Sequence, residues 1–232
     1  MMNIKRYIKY ALGVIILSTL VIACTKLKDT YKDFVGTGEI YYPGKADSLT
    51  AYPGRNRIGL SWLLISDPKI TKSTLYWNNK ADSLVIPVVK GSGIDTIRTI
   101  IHPMAEGTYT FEVYTYDNKG NRSVKVETIA NVYGNNYDIS LVNRPLKSAA
   151  MNTTADTALL EWFPASLQHV AVDLRYKNQS GDSVFITVPP DSLKIRLPKF
   201  KKAESFVYRS LYKPEKKAID TFYTAYETRL IP

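Results

Sequence analysis

The strongest constraint on the fold is a repeat written in strand period. Apolar residues alternate with polar ones through Ile58-Gly-Leu60-Ser-Trp62, and the pattern returns about 100 residues later as Ala158-Leu-Leu160-Glu-Trp162. Alternation of this kind buries one face of a strand, and each copy places a tryptophan on that face. Three more segments follow in the same order. Leu75-Tyr-Trp77 answers Leu174-Arg-Tyr176, Asp82-Ser-Leu-Val-Ile-Pro-Val88 answers Asp182-Ser-Val-Phe-Ile-Thr-Val188, and Asp95-Thr-Ile-Arg98 answers Asp191-Ser-Leu-Lys194. A duplicated module explains all four matches.

Local composition says what kind of module it is. Seventeen tyrosines, with frequent Val, Ile and Thr, favour strands. Gly, Pro, Asn and Asp interrupt the chain at intervals of roughly ten residues, the spacing of an all-β sandwich or barrel. Tyr109, Phe111 and Val113 alternate with Thr110, Glu112 and Tyr114 and run into Asp117-Asn-Lys-Gly-Asn121, a turn sequence in which Gly120 can adopt positive φ. The second copy is read as Phe206-Val-Tyr208, a turn around Pro214, and a return through Ile219 to Tyr226. Between the copies, Tyr133-Gly-Asn-Asn-Tyr137 reads as a short linker that limits rotation.

The N-terminus carries a different signal. Lys5, Arg6 and Lys9 precede Ala11–Ala23, a run with no charged residue. That run is shorter than the roughly 20 residues needed to span a bilayer, and basic-then-apolar is the form of a secretory signal. The run ends in Val21-Ile22-Ala23-Cys24, which resembles a bacterial lipobox. Cys24 is the only cysteine. An exported chain with a single cysteine has no internal disulfide to form, and lipidation gives that thiol a role. The expected organisation is a signal peptide over 1–23, a lipidated tether over 24–36, and sandwiches over 37–134 and 135–232. Thr25 after the cysteine points to the outer membrane, with the exterior face expected.

Removing Lys5, Arg6 and Lys9 with the leader takes the net charge from +10 to +7. The excess is spread over both halves, so no single nucleic-acid-binding face is expected. Lys199-Lys201-Lys202 and Lys213-Lys216-Lys217 sit at predicted turns and read as solvated surface.

Two resemblances follow from these residues. The strand tryptophan, with Ile101-His-Pro-Met104 leading into Gly107-Thr-Tyr109-Thr-Phe111-Glu-Val113, resembles the fibronectin type III or immunoglobulin-like sandwich. Tyr109 would then be a corner tyrosine bonding back to the backbone, and Phe206 stands at that place in the second module. A second resemblance rests on Cys24-Thr-Lys26, Asp29-Thr-Tyr-Lys-Asp-Phe34, Gly38-Glu-Ile-Tyr-Tyr-Pro-Gly44, Leu60-Ser-Trp-Leu-Leu-Ile-Ser-Asp-Pro68, Tyr76-Trp-Asn-Asn79, Tyr109 to Asp117, and Ile219-Asp-Thr-Phe-Tyr-Thr224. Through these stretches the chain is similar to a lipoprotein family of Bacteroidetes, domain of unknown function 4998. It implies the company of outer-membrane glycan-uptake systems. Relatives often carry an added carbohydrate-binding-like sandwich, and none is expected here.

Catalytic machinery is not expected. His102 and His169 each lie beside a predicted turn or strand end, without Cys, His or acidic partners at ligand spacing. Gly91-Ser-Gly93 lacks the further glycine and helix of a phosphate loop, and there is no Gly-x-Ser-x-Gly elbow. Asp117-Asn-Lys-Gly-Asn121 has oxygen ligands of the kind calcium prefers, but the lysine and single carboxylate favour a plain turn. No metal or cofactor is expected. The candidate ligand-platform aromatics are Tyr41, Tyr42, Tyr52, Tyr76, Tyr114 and Tyr116, with Trp77 assigned to the core beside Leu75. Such tyrosines serve either a sugar-stacking platform or a cross-strand ladder. The expected function is a non-catalytic, lipid-anchored accessory protein that binds a polysaccharide or aids glycan uptake. The alternative is a structural or protein-interaction module beside an outer-membrane protein.

Overall fold

A computed structural model describes Val14 and residues 41–65, 67–89, 91–152, 154 and 156–231. Cys24, the tether and all of the leader except Val14 lie outside the described residues.

Among the described residues, fifteen strands form two sandwiches in succession. In the first, β1 (Asp47–Pro53), β2 (Ile58–Leu64) and β5 (Asp95–Ile101) make a three-stranded sheet in the order β1-β2-β5. The facing sheet has the order β4-β3-β6-β7, from β3 (Ile70–Trp77), β4 (Asp82–Pro87), β6 (Gly107–Asp117) and β7 (Val126–Val132). The second sandwich repeats this plan. β8 (Leu146–Met151), β9 (Thr157–Trp162) and β12 (Lys194–Pro198) form the smaller sheet. β10 (His169–Lys177), β11 (Ser183–Val188) and β13 (Ser205–Tyr212) form the larger, with β14 (Phe222–Tyr223) and β15 (Glu227–Leu230) both paired to β13. All of these ladders are antiparallel.

Each sandwich closes on its own core. Trp62, Leu60, Leu75, Phe111 and Val113 are buried in the first, and Trp162, Leu160, Leu174, Phe206 and Tyr208 in the second. Alternate positions along β13 are buried, as a half-buried strand requires. Trp77 is partly buried and packs against the first core.

Strand register makes the duplication explicit and corrects two alignments. Leu75 lies opposite Val113, and Leu174 opposite Tyr208. Phe206 therefore answers Phe111, and Glu204 takes the place of Tyr109. The Tyr109 hydroxyl donates to the carbonyl of Ala105 at 3.0 Å, the corner bond expected of it. Similarly, Leu75 pairs with Leu84 whereas Leu174 pairs with Ile186. Asp82 thus answers Val184 rather than Asp182. A slip of two residues keeps every side chain on the same face, so periodicity alone does not detect it.

The repeat also includes irregular features. A register shift falls between Ile70 and Lys72 in β3, and between His169 and Ala171 in β10. At the far end of β6, the Thr115 amide donates to Ser123 Oγ at 3.0 Å, and the Ser123 amide to the Thr115 carbonyl. In β13 the Ser210 amide donates to Thr224 Oγ1 at 2.8 Å, and the Thr224 amide to the Ser210 carbonyl. These hydroxyls satisfy backbone groups where the last strand of each sandwich breaks. Nearby, Asp117 Oδ1 accepts from the Lys119 and Asn121 amides, and Oδ2 from the Asn121 side chain. Burial would raise the Asp117 pKa, but these bonds outweigh it and hold it low. Gly120, at φ 84°, completes the turn.

The segment read as a linker is ordered. Asn135–Ser140 form a short helix, α1, whose Asn136 and Tyr137 amides are capped by the Glu106 carboxylate at 2.7 and 2.9 Å. The sequence reading missed this helix because its cap comes from a residue of the preceding sandwich.

Candidate interaction surfaces

Three surfaces hold the residues with the most chemistry. The first is the joint between the sandwiches. Arg57 grips Asp220 through Nε at 2.9 Å and Nη2 at 2.5 Å, and the Arg55 amide adds a bond at 2.8 Å. The Arg55 guanidinium pairs with Asp138 and lies over the Phe222 ring, 4.3 Å from its centroid. Tyr137 meets Tyr133 and Phe222 edge to face, each with centroids 4.9 Å apart. Glu215 accepts from the Tyr133 hydroxyl at 2.9 Å, and the Ile219 amide donates to the Pro53 carbonyl at 2.8 Å. A side chain at Gly54 would bring Cβ within 2.6 Å of Asp220 Oδ2, so the chain approach requires glycine. The Arg57 bond, acting against burial, lowers the Asp220 pKa, while burial and Glu215 push Tyr133 up to about 12.

Asp220 is the centre of that joint. Asp220→Ala is expected to cost about 1–3 kcal/mol, from a partly buried guanidinium and an amide left without their acceptor. It should also widen the distribution of inter-module angles measured by small-angle scattering. A scattering profile identical to that of the wild type would show that the aromatic contacts hold the joint alone.

The second surface is the outer face of the β4-β3-β6-β7 sheet, where three of the six candidate tyrosines meet. Tyr76 and Tyr114 stand edge to face with centroids 5.9 Å apart. The pKa of Tyr76 is raised, chiefly by a hydrogen bond with Tyr116. The tyrosines form a cross-strand ladder, but its central ring is covered. Tyr114 is only 6% exposed, with Arg122 at 4.7 Å and Lys80 at 5.4 Å from its centroid. Its hydroxyl donates to Glu112 and accepts from Lys80. Tyr114 is therefore corrected from an exposed platform residue to a buried member of the ladder. Tyr76 and Tyr116 are half-buried, and Lys72 lies over Tyr116 at 5.0 Å. Tyr52 is elsewhere, on the outer face of β1, where its hydroxyl meets Ser61 Oγ at 3.2 Å in a cleft of about 670 Å³ that also contains Ile219. Tyr41 and Tyr42 are exposed.

The third surface was not found by reading the sequence. It is the outer face of the second module's larger sheet. Arg175 lies between the Phe185 and Tyr226 rings, at 5.8 and 5.4 Å from their centroids, and Arg209 between Tyr226 and Tyr223, at 4.9 and 4.2 Å. Arg209 also pairs with Asp173 at 3.4 Å. The result is a ladder of alternating aromatic and guanidinium groups across four strands. Unlike the covered Tyr114, Phe185 is 70% exposed and Tyr226 50%. A shallow hollow of about 340 Å³ beside Phe185 is lined by Arg175, Lys177, Ser183 and Ser205. The signal was present in part, since Phe185 sits outward in a strand of period two. However, cation–π contacts between separated strands have no sequence spacing.

His102 is exposed, and the Asp117 oxygens are committed to their turn. Among the described residues, no three His, Cys, Asp or Glu side chains are grouped to hold a metal.

Residues 24–222 match the family described as a domain of unknown function, number 4998. The chain belongs to that family. Among curated proteins there is no match. Among solved structures, the chain is similar to a two-domain fibronectin type III segment of chicken tenascin, at 14% identity over 81% of this chain and 98% of that one, with a TM-score of 0.33. It is also similar to the first three fibronectin domains of chicken CNTN1, at 11% identity over 83% and 69% of the two chains, with a TM-score of 0.39. The strand order and register described above carry the fold assignment for this family member: two tandem sandwiches of fibronectin type III plan.

Proposed function

We propose that the chain is a non-catalytic interaction module of the bacterial cell envelope. In this reading it is held at the outer membrane by lipid on Cys24 and engages a membrane-associated protein through its second sandwich. The observation that supports it most is the ladder of Phe185, Arg175, Tyr226, Arg209 and Tyr223. Tyrosine, phenylalanine and arginine are enriched in protein interfaces, and tyrosine and arginine dominate their energetic centres. The joint around Asp220 adds to this by fixing the face relative to the first module, which suits an arm that presents one surface. The leader and the lipobox-like Val21-Ile22-Ala23-Cys24 support the anchor.

The test is affinity isolation of the native, lipidated protein from its own membranes, beside a Phe185→Ala/Tyr226→Ala variant. A stoichiometric partner that is lost in the variant is expected. Recovery of the protein alone at native abundance would overturn the reading. A second reading, glycan capture in the hollow beside Phe185, draws on its hydroxyl and cationic lining. Retention of the chain on polysaccharide affinity gels, abolished by the same double substitution, would favour that reading. Lipid labelling that survives Cys24→Ser would remove the anchor from both.

A further inference from the structure

The duplicated frame serves as an internal control for an unusual cluster in the second module. Register equates Ile70 with His169 and Asp117 with Tyr212. Leu63 lies opposite Asp47, and the Phe163 amide donates to the Pro145 carbonyl, which equates Asp47 with Pro145 and places Arg144 where the first module has Ala46. The Ile70 amide donates to the Asp67 carbonyl and the His169 amide to the Ser166 carbonyl, which equates Asp67 with Ser166. In the first module this corner therefore holds an alanine, an isoleucine and an aspartate, and the Asp67 carboxylate accepts from the Gly44 amide at 2.9 Å. In the second module it holds an arginine, a histidine and a serine. The sandwich plan itself thus requires neither Arg144 nor His169.

Both are almost fully buried, Arg144 at 1% exposure and His169 at 5%. The Arg144 guanidinium bonds the Phe163 carbonyl through Nε at 2.8 Å and the Pro189 carbonyl through Nη1 at 3.5 Å. Those are neutral acceptors, and Asp191 acts on the arginine only through space. Among the described residues, Nη2 of Arg144 and both ring nitrogens of His169 have no hydrogen-bond partner; the guanidinium lies 5.9 Å from the Trp162 ring centroid, and the imidazole meets Tyr212 edge to face at 5.3 Å. Buried donors of this kind cost stability unless something accepts from them. Arg144, His169 and Ser166 line one cavity of about 250 Å³, whose other walls include Leu141, Val142 and Pro164.

We propose that the second module binds a small carboxylate between Arg144 and His169, in the place that the Asp67 carboxylate takes in the first. One guanidinium matches one negative charge, the imidazole N–H serves the second oxygen, and the apolar walls accept a short carbon chain. The carboxylate is either a free small acid or a group on a larger acidic sugar. The site stands apart from the aromatic ladder and does not rest on it.

The test uses the full chain in detergent, with labelled histidine rings followed by NMR. Sodium propionate and sodium glucuronate are titrated against sodium chloride at matched ionic strength, and His169→Ile assigns the signals. Saturable shifts of the His169 ring with propionate are expected. Glucuronate acting as well would show that a sugar acid is accepted, and propionate acting alone would limit the site to small free acids. Ser166→Asp copies the first module's own carboxylate, so it should fold. It should weaken binding by about tenfold or more, the effect of occupying a charged hydrogen-bonding site. The proposal is overturned if neither acid exceeds chloride, or if Ser166→Asp binds as well as the wild type.

Discussion

Replacing Trp62 by alanine is expected to lower the stability of both sandwiches together, by about 3–5 kcal/mol. Trp62 is fully buried at the centre of the first core, and its indole N–H donates to Ser73 Oγ at 3.3 Å. The substitution leaves a cavity among Leu60, Leu75 and Phe111 and strips a partner from Ser73, which is itself fully buried. The loss extends beyond the first core because β2 starts at Ile58, directly after Arg55 and Arg57, which hold Asp138 and Asp220 across the joint. Loosening β2 therefore releases the contacts that brace the second module. Calorimetry of the wild type should give one transition, and Trp62→Ala should lower it by roughly 6–20 °C for a folded unit of this size. Two separate transitions, with the upper one unmoved, would show that the joint does not couple the modules energetically.

The sequence made the cores legible and left the surfaces largely hidden, for a physical reason. Burial of Trp62 and Trp162 is encoded locally, in a period of two that any strand reading detects. The corner bond of Tyr109 was also legible, because its acceptor lies four residues away at Ala105. The joint was not legible, because its partners are remote in sequence: Arg57 meets Asp220, and Tyr133 meets Glu215. The tyrosine face shows a third situation. Tyr76, Tyr114 and Tyr116 lie on strands with their side chains outward, but an outward direction is not exposure. Lys80 and Arg122 cover Tyr114, since long cationic side chains lay their stems and charges over neighbouring rings. The alternating ladder of the second module depends on Tyr223 and Tyr226 being brought beside β10 by a broken last strand, and nothing in their own spacing announces that.

Acidification provides the second large effect, and the group responsible is His169. Burial, with the nearby Arg144 charge, pushes its pKa down to about 4, against roughly 6.5 in an unfolded chain. The folded pKa is depressed, so the folded state holds the imidazole neutral while the unfolded state takes up a proton first. The stability this preserves is complete above pH 6.5 and is lost as the pH falls toward the folded value. Linkage gives a loss of roughly 2–3 kcal/mol between pH 7 and pH 4.5. The window is separate from that of the paired carboxylates. Asp220, held low first by its bond to Arg57, contributes stability that persists above the ordinary carboxylate pKa and disappears only at lower pH. Chemical denaturation at pH 7.0, 5.5 and 4.5 should therefore show a falling midpoint in the wild type. His169→Ile, which installs the residue that the first module carries at the equivalent place, should flatten that dependence and leave the pH 7 stability equal or higher. An isoleucine variant that still lost 2–3 kcal/mol over this range would transfer the effect to another group. It would also show that the His169 ring gains a proton in the folded state more readily than its burial beside Arg144 permits.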